Sequence, residues 1–249
     1  MKIWNKNIKT SNSSIDAFLS GEDIVLDQEL FLYDIEASIA HAEELKAINI
    51  LNASELKKTV SALKKLAKLF SMNKFKLTKK YEDCHSAIED FLIKELGDLG
   101  KKIHTGRSRN DQVLVAMRLY ARDHLQEIQA LNLKIAQAFL DKASKHSTDI
   151  MPGYTHMQRA MPSTWGLWFG AFAESFIDNA ELLENTQSWM NVNPLGAAAG
   201  YGVNLPIKRE ISTKKLEFKR KQLNSLYVQN SRGKFELELL GSLKQPMLD

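Results

Sequence analysis

The sequence contains few of the residues that interrupt helices. Its first proline is Pro152, and the only glycines before that position are Gly21, Gly97, Gly100 and Gly106. Strands and tight hairpins depend on such residues at their turns. Their scarcity argues against a β-rich first half and predicts an all-α chain.

Cysteine and long apolar runs are also scarce. Cys84 is the single cysteine, so an intramolecular disulfide is excluded, and a lone thiol suits a reducing compartment such as the cytoplasm. The N-terminal stretch MKIWNKNIKTSNSS lacks the apolar core of a signal peptide, and no apolar run reaches the length of a membrane span. We therefore predict a soluble, cytoplasmic protein that does not associate with membranes.

The charge and the sequence motifs of the chain argue against several further functional classes of protein. Lysine and arginine number 34 against 30 acidic residues, a net charge of +4 without the basic excess of a nucleic-acid binder. No Cys/His spacing supports zinc, and no glycine-rich loop supports a nucleotide. Neither a metal nor an organic cofactor is predicted. A hydrophobic fraction of 44% is enough for a sizeable core and excludes disorder.

Apolar residues recur at helical spacing along most of the chain. The longest such segment, residues 112 to 145, would form a rod of roughly 50 Å and needs partners of similar length. We therefore expect an elongated helical bundle with a smaller N-terminal helical domain, the two divided as residues 1–104 and 105–249. Residues 1 to about 26 are expected to form a loop-rich arm. The segments with helical spacing are residues 26–48, 52–70, 84–96, 112–145 and 163–190.

The first of three polar loops, KKIHTGRSRND at residues 101–111, directly precedes the longest helical segment. Its guanidinium groups and the helix N-terminus favour anions such as carboxylates or phosphates. Ser108, Arg109 and Asn110 are therefore candidate anion ligands. The alternative is an exposed loop in which Ser108 or Asn110 only caps the helix.

The second loop, GYTHMQRA, contains Thr155 and His156. A histidine can exchange protons near neutral pH, and a neighbouring hydroxyl can donate to a carboxylate. The alternative is a histidine with a structural hydrogen bond. His85 has a similar ambiguity, because it lies beside Asp83 and Glu82, which form either an acid–base cluster or the polar start of a helix. The third loop, residues 193–202, is rich in small residues.

Two ungapped segments carry a resemblance to a known family. The segments HTGRSRNDQV and GYTHMQRAMP resemble the argininosuccinate lyases of the fumarase and aspartase superfamily. The same resemblance extends to three further segments, YEDCHSAIED, FLYDIEASIAHAEEL and NPLGAAAGYG. The similarity covers nearly the whole chain. The Thr-His loop is shared by several enzymes of the superfamily, whereas the Thr-Gly-Arg-Ser-Arg-Asn-Asp loop selects the argininosuccinate lyases. Adenylosuccinate lyase is a more distant alternative.

The resemblance implies an anti β-elimination that splits argininosuccinate into arginine and fumarate, the last step of arginine biosynthesis, without a cofactor. It implies that Ser108, Arg109 and Asn110 bind substrate carboxylates. Thr155 would hold the fumarate half, and His156, paired with a glutamate, would assist the acid–base steps.

Further substrate contacts are implied for Asp83 and His85, and for Asp23 near the N-terminus. The family forms homotetramers in which each active site takes its three signature loops from three different chains. No nucleic-acid or membrane partner is implied.

One family signature does not occur in these 249 residues. It is a Gly-Ser-Ser-x-Met-Pro-x-Lys-x-Asn loop with the serine taken as general base, and the segment from Gly241 to Pro246 resembles it only superficially. We therefore expect the chain to be the front part of a longer protein and to be inactive alone. The alternative is a truncated, non-catalytic helical scaffold or assembly partner of the same fold.

Overall fold

The computed structural model describes residues 21–249, and its architecture is predominantly helical, as the sequence predicts. Most of the expected N-terminal arm lies outside the described residues. The helices, in chain order, are α1 Asp23–Leu26, α2 Phe31–Ala47, α3 Ala53–Ser71, α4 Cys84–Leu96, α5 Asp98–Lys101, α6 Arg109–Lys145, α7 Trp165–Met190, α8 Glu210–Lys215, α9 Ser225–Asn230 and α10 Lys234–Lys244. The strands are β1 Ile150–Thr155, β2 Gln158–Thr164, β3 Val192–Asn193 and β4 Arg220–Lys221.

Local sequence signals explain several helix ends. Asn52 and Glu55 form the capping box that their spacing predicts, with each side chain accepting the other residue's backbone N–H at 2.9 and 2.8 Å. Helix α4 ends at Leu96, and the capping residue Gly97 has a φ of 61°, which glycine adopts without steric cost. The Thr164 hydroxyl oxygen accepts the backbone N–H of Leu167 and thereby caps the N-terminus of α7.

The second polar loop is not a loop, and the expectation there was wrong. Strands β1 and β2 pair antiparallel, and the pair Thr155 and Gln158 encloses a two-residue turn. His156 and Met157 occupy that turn with φ values of 50° and 61°. Positive φ at both positions is typical of the primed hairpin turns whose twist matches the strands. The usual Asn-Gly signal is missing, so the sequence alone did not indicate a hairpin.

The described chain divides into two compact units. The first comprises the described part of Met1–Tyr120 together with Asn191–Arg232, and the second comprises Ala121–Met190 together with Gly233–Asp249. Helix α6 contributes residues to both. The division at residues 104 and 105 stays a prediction about the domains of the longer protein.

The first unit is built around α2, α3 and α4. Its core contains the fully buried side chains of Phe31, Leu45, Leu63, Ile88 and Leu92. Burying each such side chain contributes about 1.5–3 kcal/mol relative to exposure. A neighbouring apolar cluster joins α2 and the first part of α6 to the segment that follows α7. This second cluster consists of Ala37, Ala40, Val115, Leu119, Leu195, Leu216 and Phe218.

The second unit packs α7 with the remainder of α6 and with α10. Phe139 stacks on Phe172 and Phe176 at ring-centroid distances of 5.2 and 5.9 Å, and Trp189 lies 4.4 Å from Phe235. Many large apolar side chains of this unit remain exposed. No helix within residues 21–249 is both long and apolar enough to cross a membrane. The exposed apolar residues of α6 and α7 include Leu131, Leu133, Ile135, Leu140, Trp165, Leu167, Trp168 and Ile177.

Candidate active site

The candidate active site of the first unit begins where the polar loop joins α6. The Ser108 hydroxyl oxygen accepts the backbone N–H of Asn110 at 3.2 Å, so Ser108 has the capping role that composition suggested. The Asn110 side chain donates to the same hydroxyl at 3.3 Å and accepts from Arg232 at 3.1 Å. Both residues are half-buried. Their polar groups therefore remain accessible at the N-terminus of a 37-residue helix, where the helix dipole favours anions.

Asp111 fixes this loop to the third loop. Its Oδ1 accepts the N–H of Ser108 at 2.9 Å, while Oδ2 accepts the N–H groups of Gly196 and Ala198 at 2.9 and 2.8 Å. The side chain is fully buried. Burial raises the pKa of Asp111, and the backbone N–H groups of Ser108 and Ala198 partly offset that rise. A single carboxylate thus sets the conformation of two segments that the sequence treats as separate loops.

Arg209 supports the third loop from its other side. Its guanidinium donates to the backbone carbonyls of Leu195 at 2.7 Å, Asn193 at 3.1 Å and Gln222 at 2.7 Å. Burial lowers the pKa of Arg209, although neighbouring Glu44 and Asp111 favour its charged form. Sequence reasoning did not select Arg209 or Asp111, because most of their partners are backbone groups 13 to 87 positions away in the chain.

Arg109 points toward α4 and contacts two protein carboxylates. Its Nε lies 3.2 Å from Asp83 Oδ2, and Nη1 lies 3.3 Å from Glu89 Oε1 and 2.8 Å from Gln112 Oε1. Burial alone would raise the pKa of Glu89, but His104 and Arg109 lower it below the ordinary value. Arg109 is therefore paired within the protein, and its role as a ligand for substrate carboxylates stays a prediction.

Asp83 and His85 lie at the start of α4 and face different surroundings. The Asp83 carboxylate caps the helix by accepting the N–H and the hydroxyl of Ser86, both at 2.6 Å. His85 is buried, and its Nδ1 lies 2.7 Å from Oδ2 of Asp34 on α2. Gln112 donates to both oxygens of Asp34 at 3.0 and 2.9 Å. The first unit thus gathers Asp83, His85 and the start of α6 into one polar network.

Asp34 is the buried centre of this network, and no motif in the sequence marks it. Burial alone would raise its pKa, but the charges of His85 and Arg107 and the Gln112 hydrogen bond favour the carboxylate and hold the pKa at about 2. Arg107, from the signature loop, is also buried and donates to Ser38 at 2.8 Å. The acid is therefore ionised at physiological pH and orients the His85 ring.

The remaining predicted residues lie elsewhere. Thr155 and His156 belong to the second unit, at the exposed turn of the β1–β2 hairpin. Asp23 is the exposed first residue of α1, one turn before Asp27, whose carboxylate accepts the Cys84 N–H at 2.9 Å. Within residues 21–249, Asp27, Cys84 and His85 form the one group of side chains arranged so that it could hold a metal ion.

Comparison with protein families gives a match over almost the whole chain. A family model described as lyase matches residues 5–248. Two curated proteins named argininosuccinate lyase, from Stenotrophomonas maltophilia and Xanthomonas campestris pv. campestris, are each 49% identical over 247 residues. The alignment covers 99% of this chain and 57% of each relative. The chain therefore spans a little over half the length of these relatives.

Solved structures show the same fold. A crystal structure of EDDS lyase in complex with formate is 25% identical, with a TM-score of 0.78 over 94% of this chain and 46% of that chain. A fumarate lyase described as delta crystallin, from Brucella melitensis, is 20% identical, with a TM-score of 0.68 over 90% of this chain and 52% of that chain. The second likeness concerns the fold alone.

Proposed function

The chain belongs to the lyase family, and from this membership we propose that it is the N-terminal domain and first part of the central bundle of an argininosuccinate lyase. The observation that carries the proposal is the 49% identity to argininosuccinate lyases across 99% of the chain. The reaction is an anti β-elimination. A base removes a proton from the carbon next to a substrate carboxylate, the C–N bond breaks, and arginine leaves with the bonding electrons while fumarate forms.

The first unit supplies the anion-binding part of this chemistry. Negative charge develops on the carboxylate beside the reacting carbon, and preorganised donors stabilise it most effectively. We assign this role to Ser108, Arg109 and Asn110 at the N-terminus of α6. Arg109, held by Asp83 and Glu89, contributes positive charge and keeps the loop in place.

The second unit supplies Thr155 and His156. In the proposal, Thr155 holds the fumarate half of the substrate and His156 assists proton transfer. Their exposure at the tip of a two-stranded hairpin suits residues that complete an active site in an assembly. Asp83, His85 and Asp23 are proposed to line the substrate side.

We also propose that the longer protein is a cytoplasmic homotetramer. The exposed apolar side chains of α6 and α7 support the assembly, because apolar surface left exposed on a folded unit is typical of protein–protein contacts. The 249 residues alone are proposed to be inactive, since the serine-containing signature is not among them. The second candidate function, a non-catalytic scaffold of the same fold, is favoured by that same missing segment.

A chimera tests these proposals. This chain is joined to the part of the Stenotrophomonas maltophilia relative that lies beyond the aligned region, and fumarate release from argininosuccinate is followed by ultraviolet absorbance. We expect turnover by the chimera and none by the 249 residues alone. A folded chimera that releases fumarate only from adenylosuccinate would overturn the substrate assignment, and a folded chimera without turnover on either substrate would favour the scaffold.

A further inference from the structure

Four side chains with metal-binding atoms converge where the end of α1, the middle of α2 and the start of α4 meet. One ligand atom from each of Asp27, Cys84 and His85 lies within 4.8 Å of the others. Cys84 Sγ is 3.6 Å from His85 Nδ1, and Asp34 Oδ2 is 2.7 Å from the same nitrogen. Cys84, His85 and Asp34 are buried, and Asp27 is half-buried.

The types of donor atom select the kind of ion. Zinc binds thiolate sulfur at about 2.3 Å, imidazole nitrogen at about 2.0 Å and carboxylate oxygen at about 2.0 Å, usually in a tetrahedron. Neighbouring ligand atoms in such a tetrahedron lie roughly 3.3–3.8 Å apart. The Cys84 to His85 separation already meets this requirement. The Asp34 to His85 separation of 2.7 Å has to widen by roughly 0.6 Å for both atoms to bind one ion.

We propose that Asp27, Cys84 and His85 form a binding site for a divalent ion of the zinc type, with Asp34 as the fourth ligand. On binding, the Cys84 thiol releases its proton to solvent and the sulfur donates an electron pair to the metal. The His85 Nδ1, which donates a proton to the hydrogen bond with the ionised Asp34, also releases that proton to solvent, and Nδ1 and an Asp34 oxygen then both bind the metal. Both carboxylates and the metal keep their charges, so no oxidant or reductant is involved.

Hydrogen bonds that would orient the metal ligands are already present around the site. Gln112 donates to both Asp34 oxygens and orients that carboxylate, and the backbone N–H of Cys84 donates to Asp27 Oδ2. Partners of this kind orient metal ligands and raise affinity. The half-buried Asp27 marks the side from which an ion would enter.

The site was not visible in the sequence. Zinc-binding patterns are recognised from short, regular spacings of cysteine and histidine, whereas these ligands come from two helices and from the residue that follows α1, and include a single cysteine. His85 is also proposed to line the substrate side, but metal binding by the chain is measured separately from turnover.

Cobalt is the probe, because a thiolate bound to Co²⁺ gives a charge-transfer absorption band in the near ultraviolet. The purified 249-residue chain, freed of metal with a chelator, is titrated with Co²⁺ and then with Zn²⁺. We expect the band to saturate at one Co²⁺ per chain and to disappear as Zn²⁺ displaces Co²⁺. A wild-type chain without the band would overturn the proposal.

Variants separate this site from surface sites. C84S is expected to abolish the band, and D27N is expected to keep the band but to weaken affinity at least about tenfold. H146A removes a surface histidine that pairs with Asp149 at 2.7 Å and should leave the titration unchanged. An unchanged band in C84S would contradict the assignment.

A second measurement does not depend on the folding of a variant. X-ray absorption at the zinc edge of the wild-type chain, loaded with one Zn²⁺, should show one sulfur at about 2.3 Å among nitrogen and oxygen ligands. A zinc shell without sulfur would overturn the proposal even if C84S fails to fold.

Discussion

Oδ2 of Asp111 accepts the backbone N–H of Gly196 at 2.9 Å, across 85 positions of sequence. The same oxygen accepts the N–H of Ala198, and Oδ1 accepts that of Ser108. The loop at residues 101–111 and the small-residue loop at residues 193–202 therefore share one buried carboxylate. The geometry proposed for Ser108 and Asn110 depends on a residue that need not touch substrate.

Replacing Asp111 with asparagine should destabilise the chain. Asparagine offers one acceptor oxygen and an NH₂ group in place of two carboxylate oxygens, so at least one buried N–H loses its partner. We expect the free energy of unfolding to fall by about 1–3 kcal/mol, measured by urea denaturation. The control is D141N on the same helix, whose exposed carboxylate contacts Gln137 and whose loss should cost less than about 0.5 kcal/mol. Equal stability of the D111N and D141N variants would contradict the role of Asp111 in holding the two loops together.

The Glu89 pairs should make stability depend on pH. His104 and Arg109 lower the pKa of Glu89 in the folded chain below the ordinary value of 4.5. The ionised Glu89 therefore stabilises the fold above pH 4.5, and this stabilisation is lost as the pH falls through the lower pKa of the folded state. We expect E89Q to be less stable than the wild type by about 1 kcal/mol at pH 7. The difference should shrink as the solution is acidified below pH 4.5, in unfolding experiments at a series of pH values.

A matched control lies on the same helix. Glu95 pairs with Lys65 at 2.7 Å in an exposed position, and E95Q should change stability by less than about 0.5 kcal/mol. A destabilisation of E89Q that stays constant from pH 7 to below 4.5 would show that the ionised carboxylate is not the stabilising group.

His156 should be required for turnover by the chimera described above. A lost acid–base group typically costs at least about 100-fold, so H156N should lower kcat by that factor while the far-ultraviolet circular dichroism stays unchanged. H124N is the control, because His124 lies on α6 beside Glu127 at 3.2 Å and has no proposed role in the reaction. Full activity of H156N would remove this histidine from the mechanism.

Asn110 distinguishes substrate binding from capping. In the chimera, N110A should lower kcat/KM by about 10- to 100-fold, because the substrate anion loses a donor. Helix capping rests on the Ser108 hydroxyl, so N110A should leave the unfolding free energy of the 249-residue chain within about 0.5 kcal/mol. The opposite result, normal kinetics with a clear loss of stability, would assign Asn110 a structural role only.

Local sequence signals determined most of the helical architecture. Apolar spacing and the capping pair Asn52 and Glu55 specify helices because they act over three or four residues, a range that is fully visible in the chain. The signature loops likewise placed Ser108, Arg109 and Asn110 at the start of a long helix. The β1–β2 hairpin was missed because His156 and Met157 adopt positive φ without the glycine or asparagine that normally signals such a turn.

Only the tertiary structure decided which polar groups meet. His85 pairs with Asp34 across 51 positions, and Asp111 reaches Gly196 across 85, as a result of how the helices of the first unit pack. The spacing of apolar residues in the sequence does not predict such contacts. They form when the apolar helix faces pack together, because polar side chains that become buried in the same step need hydrogen-bond partners. The sequence therefore determined the helices and the family to which the chain belongs. Packing determined the buried carboxylates that hold the candidate site in shape.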